Sequence, residues 1–121
     1  MGRNFKNIKA WQLADRLVLQ IYQTTKQYPN HELYGIISQL RRAVVSIPCN
    51  IVEGSAKTSK KDYLRFLEIS MGSLAEVEYL ILLSRNLNYI SQDQFDHIEK
   101  LRTECIKTLQ GLISFIKSEV N

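Results

Sequence analysis

Leu33, Ile37, Leu40, Val44, Ile47 and Ile51 recur at alternating steps of four and three residues. That rhythm keeps one side of a helix apolar over several turns, whereas a strand would scatter the same residues over both faces. The spacing returns three more times. Trp11, Ala14, Val18 and Ile21, widened by Leu13 and Leu17, predict a helix over about 8–27. The opening set predicts one over about 31–53. Tyr63, Leu67, Leu74, Val77 and Ile81 predict a third over about 59–87. Phe95, Ile98, Leu101, Cys105, Leu109, Leu112 and Ile116 predict a fourth over about 91–119. No run alternates as a strand does.

The stretches between these segments are short and carry helix punctuation. Pro29 disfavours a helical Tyr28, and Asn30 is suited to cap the second helix. Gly54 is placed to close the second helix in a left-handed conformation. Ser59 to Asp62 resembles a capping box with Asp in the place of Glu or Gln, and Ser91 to Gln94 is the full pattern. Short connections make successive helices antiparallel. The expected fold is all-α: one up-down-up-down four-helix bundle over residues 1–121.

The third helix has more apolar surface than a bundle helix needs. Phe66, Ile69, Leu80, Leu83 and Leu87 form a second stripe beside the first. Surplus apolar surface on one element marks an oligomer interface, here expected at Phe66, Ile69, Leu80 and Leu83. The competing expectation is that the fourth helix covers both stripes. Gly72, in Ser70-Met71-Gly72-Ser73, suggests close approach of a neighbouring helix.

Arg41 and Arg42 stand inside the second helix, with Pro48 a turn and a half later. Arg41 borders the apolar side, where an unpaired charge is costly. Glu76 interrupts the second stripe of the third helix, so an Arg41–Glu76 ion pair is expected. Arg42 falls on a more polar side. Pro48 removes an N–H and crowds the Val44 carbonyl, which predicts a kink there.

Charge narrows the partners. The chain carries a net +4 with a pI near 9.1, and the excess gathers in residues 1–31 and 55–65. This permits nucleic-acid binding without demanding it. No apolar run is long enough to span a membrane, and the N-terminus lacks the apolar core of a secretory signal. The Met1-Gly2 start is followed by Lys6 where myristoylation expects Ser or Thr. A cytoplasmic protein is expected. Cys49 and Cys105 stand far apart, in no metal or redox pattern, and are expected reduced.

Catalytic chemistry has little to draw on. The histidines are His31 and His97, and there is no Glu-x-x-His, P-loop or nucleophile elbow. No Arg is followed by a His four to six residues on, as in some helical-bundle ribonucleases. A non-enzyme with no metal and no cofactor is expected.

QLRRAVVSIPCNIVEG at Gln39–Gly54, with Trp11, Tyr28-Pro29, ELYG at Glu32–Gly35 and YLRFLEISMGSLAEVE from Tyr63, resembles the 23S rRNA intervening-sequence protein family. The matching stretches cover about the first three helices. The family is similar to the accessory protein of diversity-generating retroelements, a pentameric, positively charged barrel that binds nucleic acid and its reverse transcriptase. The resemblance implies a ring-like homopentamer, RNA or DNA as a partner, and a reverse transcriptase or other protein as another. From the residues themselves, Arg16, Arg42, Lys57, Lys60, Lys61 and Arg65 are the candidates for phosphate contact. Tyr22, Tyr34 and Tyr63 are all expected in core roles, which leaves no aromatic for base stacking. The alternative function is a protein-interaction scaffold with no nucleic-acid role.

Overall fold

A computed structural model of the chain describes residues 3–120; the Met1-Gly2 start lies outside them. Four α-helices and no strand occur among the described residues: α1 (Lys9–Thr25), α2 (Ser38–Ser55), α3 (Lys60–Asn86) and α4 (Gln92–Ser118). α1 packs on α2 and α4, and α3 packs on the same two from the other side. Neighbours run antiparallel. Ser46 meets Ser73 across α2 and α3, Arg102 reaches the Leu74 carbonyl across α3 and α4, and the Cys105 thiol faces the Ala10 carbonyl across α1 and α4.

The helices share one apolar core. The α2 set from Ile37 to Ile51 and the first α3 stripe are buried throughout. Among the buried hydroxyls, Thr25 and Ser84 donate to carbonyls of their own helices and Ser70 donates to the Ile47 carbonyl of α2, whereas Tyr28 Oη has no hydrogen-bond partner among the described residues. The α4 start has the expected reciprocal box. Ser91 Oγ accepts from the Gln94 N–H while the Gln94 side chain accepts from the Ser91 N–H. Gln27 ties the end of α1 to this corner through the Tyr89 carbonyl and Gln94.

Several expectations are corrected. The second helix does not start at residue 31. A 3-10 turn (Asn30–Glu32) leads into a wide π turn (Leu33–Ile37), with Gly35 at non-helical angles, before α2 begins. Leu33 is therefore thrown out of the core and half exposed. Glu32 holds this corner: its carboxylate accepts from Tyr89 Oη at 2.7 Å and from the Ile36 N–H at 3.4 Å. A Cβ on Gly35 would come within 2.5 Å of Glu32 Oε1, so glycine keeps the carboxylate in place.

Gly54 does not adopt a left-handed conformation; no glycine among the described residues does. Its role is clearance, because a Cβ would lie 2.8 Å from Phe66 Cβ and 3.0 Å from the Tyr63 ring. Gly72 shows the reverse, with nothing within 4 Å of an added Cβ. Close approach occurs instead at its neighbours Ser70 and Ser73. Pro48 lies inside α2, and non-helical backbone angles occur at Gly35 in the preceding π turn.

The Arg41–Glu76 pair does not form. Arg41 Nε donates to Thr25 Oγ1 at 2.9 Å, and its guanidinium lies 4.6 Å from the Tyr22 ring centroid, toward α1. Glu76 is exposed and has no ion pair among the described residues. The arginine that α3 does receive is Arg102 of α4. It is 4 % exposed, forked onto Glu99, 3.0 Å from Glu78 and hydrogen-bonded to the Leu74 carbonyl. Buried, hydrogen-bonded and doubly paired, it meets the conditions under which an interior charge is tolerated.

Candidate nucleic-acid interface

The tight α2–α3 junction forms one end of the bundle. α2 closes where the Ala56 N–H donates back to the Val52 and Glu53 carbonyls, and α3 opens where Ser59 Oγ accepts from the Asp62 N–H at 3.3 Å. Because Gly54 lets the helices meet closely, Tyr63 is buried and Phe66 is 8 % exposed. Cations then settle over the Phe66 ring. Lys57 Nζ lies 5.3 Å from the Phe66 centroid, and the Arg65 guanidinium lies 4.6 Å from it. Lys60 pairs with Glu119 at 2.9 Å, and Arg65 stands 3.9 Å from Asp62. Lys61 is exposed and has no ion pair among the described residues.

A fifth cation comes from the N-terminal segment. Arg3 folds back over the junction, donates to the Ser55 and Lys57 carbonyls at 3.0 and 3.1 Å, and stacks 4.5 Å from the Tyr63 centroid. It satisfies carbonyls that the end of α2 leaves open, where positive charge also complements the helix dipole. Nothing local in the sequence signals this, since its partners lie more than fifty residues away.

Of the six predicted cations, Lys57, Lys60, Lys61 and Arg65 thus gather at one end, joined by Arg3. Arg16 and Arg42 do not join them. Arg16 is exposed on α1 beside Leu19, His97 and Leu101 of a shallow groove toward α4. Arg42 is exposed in the first half of α2. Divided at the helix midpoints, the half containing the junction carries ten Lys and Arg against five Asp and Glu, and the other half six against seven. The net positive charge therefore resides in the junction half.

The proposed apolar interface divides. Phe66 and Leu80 are 8 % and 3 % exposed and belong to the subunit's own interior. Leu83 packs partly against the core. Ile69 is 43 % exposed and remains available. Of the tyrosines, Tyr63 is buried as expected, but Tyr22 is 38 % exposed beneath Arg41 and Tyr34 is 94 % exposed on the π turn. An aromatic beside a near-helical run reads as core by spacing. Only the break at Gly35 turns Tyr34 outward.

Two thiols have opposite surroundings. Cys105 is fully buried and burial pushes its pKa up to about 12, against a smaller opposing pull from Arg102. Cys49 is exposed at the edge of an apolar groove of about 620 Å³ between α1 and α2, lined by Phe5, Trp11, Val45 and Pro48. His31 and His97 are both exposed. No cluster of three or more His, Cys, Asp and Glu is placed to hold a metal among the described residues, and no described helix is long and apolar enough to cross a membrane.

A family model described as 23S rRNA-intervening sequence protein matches residues 6–111, which reaches most of the way along α4. Among solved structures, a protein of unknown function from the S23 ribosomal protein family of Bacteroides thetaiotaomicron VPI-5482 is similar at 26 % identity. That likeness has a TM-score of 0.79 and covers 86 % of this chain and 97 % of that one. No curated protein matches.

Proposed function

The chain belongs to the 23S rRNA-intervening sequence protein family, and from that membership we propose a non-enzymatic, self-associating accessory protein that holds RNA or DNA at its cationic end. The observation that carries the proposal is the gathering of Arg3, Lys57, Lys60, Lys61 and Arg65 at the α2–α3 junction, in the half of the bundle with the positive excess. Lysines and arginines on a convex helix end suit phosphates, which position a nucleic acid without reporting its sequence. Association of subunits multiplies a modest charge per copy. A cytoplasmic site of action accords with this reading.

The test uses labelled single-stranded and duplex fragments of unrelated sequence, titrated with protein and followed by fluorescence anisotropy. Similar affinity across sequences is expected, with clear weakening in the Lys57→Gln/Lys60→Gln/Lys61→Gln variant and an unchanged helical signal. No binding at low salt would remove the proposal.

One observation favours a second reading, a protein-interaction scaffold. Tyr34 and Leu33 project from the π turn, at 94 % and 47 % exposure, on the end away from the cations. Tyrosine is among the residues enriched at protein interfaces. Tyr34→Ser would abolish partner capture under that reading and leave nucleic-acid affinity unchanged under the first.

A further inference from the structure

On α1, Trp11, Asp15 and Val18 follow one another at steps of four and three residues; on α2, Val45, Pro48 and Val52 follow at steps of three and four. The two helices pack together, and these rows form the banks of one groove of about 620 Å³, with Phe5 at the end nearer the α2–α3 junction. Trp11, Val18, Val45 and Val52 are half-buried, and Pro48 is buried between them. Asp15 on α1 and Glu53 on α2 belong to the same lining. We propose that this groove is the docking site for a basic amphipathic helix of a partner protein. It lies outside the nucleic-acid reading above, does not depend on it, and uses none of the cations assigned there.

Length, lining and charge each select that occupant. Trp11 to Val18 and Val45 to Val52 each rise by about 10 Å, or two helical turns. One turn before Val45, Arg41 crosses to Thr25 and Tyr22 of α1, and at the other end Phe5 stands edge-on to the Trp11 ring at 5.0 Å. Apolar anchors at i, i+3 or i+4 and i+7 of a docked helix match that span. Beyond the two carboxylates, the lining is aromatic or aliphatic apart from the Cys49 thiol, so the body of the occupant is apolar. Charge decides what flanks it. Of the five carboxylates in the junction half, Glu119 pairs with Lys60 and Asp62 stands near Arg65. Asp15 and Glu53 have no ion pair among the described residues, and both fall on this groove. With one carboxylate on each bank, a helix lying between them meets acceptors for the lysines or arginines along both of its polar edges. Their aliphatic stems can rest on Trp11 and Val52 while the charged heads reach the carboxylates. The same carboxylates disfavour a nucleic acid here.

Two residues report on the groove directly. Trp11 is the chain's one tryptophan, and Cys49 is an exposed thiol at the groove edge while Cys105 is buried. The probes are a helical peptide with leucines at i, i+3, i+4 and i+7 and lysines elsewhere, and a counterpart with glutamates for the lysines. The lysine peptide is expected to bind, to shift Trp11 emission to shorter wavelength and to slow alkylation of Cys49 in proportion to occupancy. Asp15→Lys/Glu53→Lys should weaken it about tenfold or more and let the glutamate peptide bind instead. Glu53 is exposed, so Glu53→Lys alone should give a smaller loss of the same sign even if the double variant folds poorly. Circular dichroism checks the folding of each. Failure of the lysine peptide to bind overturns the proposal, as does binding that leaves Cys49 reactivity unchanged, or equal affinity for the two peptides. Cys49 protection that grows with protein concentration in the absence of peptide assigns the groove to a second copy and overturns it as well.

Discussion

At the scale of single residues, Gly54 and Gly72 give the sharpest contrast. Gly54 sits where a methyl would strike Phe66 Cβ and the Tyr63 ring, and Gly72 where it would strike nothing. Gly54→Ala is expected to destabilise by about 1–3 kcal/mol despite its better helix propensity, because overpacking a fixed contact outweighs it. Gly72→Ala is expected to stabilise by up to about 1 kcal/mol. Denaturant midpoints at low protein concentration check both, and shifts of the same sign would contradict the geometry. The cysteines give a second test. Cys49 should react with a thiol reagent in the native protein, and Cys105 only on unfolding. The Cys105 thiol is held neutral in the fold, up to about 12 against an ordinary 9.0, while the unfolded chain ionises it earlier. Its contribution to stability is therefore complete below 9.0 and lost as pH rises toward about 12. Cys105→Ala should flatten that alkaline loss.

At the scale of elements, the corner between α1 and α2 is the one place where helical rhythm misleads. The steps from Leu33 to Ile37 fit a helix, yet the chain widens into a π turn there and Leu33 leaves the core. Glu32 stabilises the turn, and its pKa is lowered first by the Tyr89 hydroxyl and then by the Ile36 N–H. A lowered carboxylate adds stability above its unfolded pKa and loses it as pH falls through the folded one. Tyr89→Phe removes the main cause, so the variant should show a shallower loss on acidification than wild type. Identical acid profiles would show that the hydrogen bond contributes nothing. The helices and their antiparallel order are otherwise legible in spacing and caps, because burying a stripe on short connections leaves few arrangements. Side-chain partners are not legible in that way. Arg41 turns to Thr25 and Tyr22 of α1, and Arg102, unremarkable in sequence, becomes the buried charge, because both outcomes depend on how the helices rotate about their axes. Four of the six candidate cations are recognisable as a group because they lie close together in the chain. Arg3 is not, because only the closed bundle brings it to Ser55.

At the scale of the molecule, apolar surplus and charge separate. Most of the second α3 stripe turns out to cover the subunit's own interior, and what remains outside is Ile69 and, just past the end of the helix, Leu87. The positive excess sits at the opposite end from the protruding Tyr34, so nucleic acid and a protein partner need not compete for one surface. The salt dependence of nucleic-acid binding tests this account most directly. For duplex DNA, log affinity should fall linearly with log salt, by about 0.9 for each phosphate neutralised. Replacing Lys57, Lys60 or Lys61 with Gln should reduce that slope by about one unit each. A slope that does not change when all three are replaced would place the contacts elsewhere and contradict the cationic end as the binding surface.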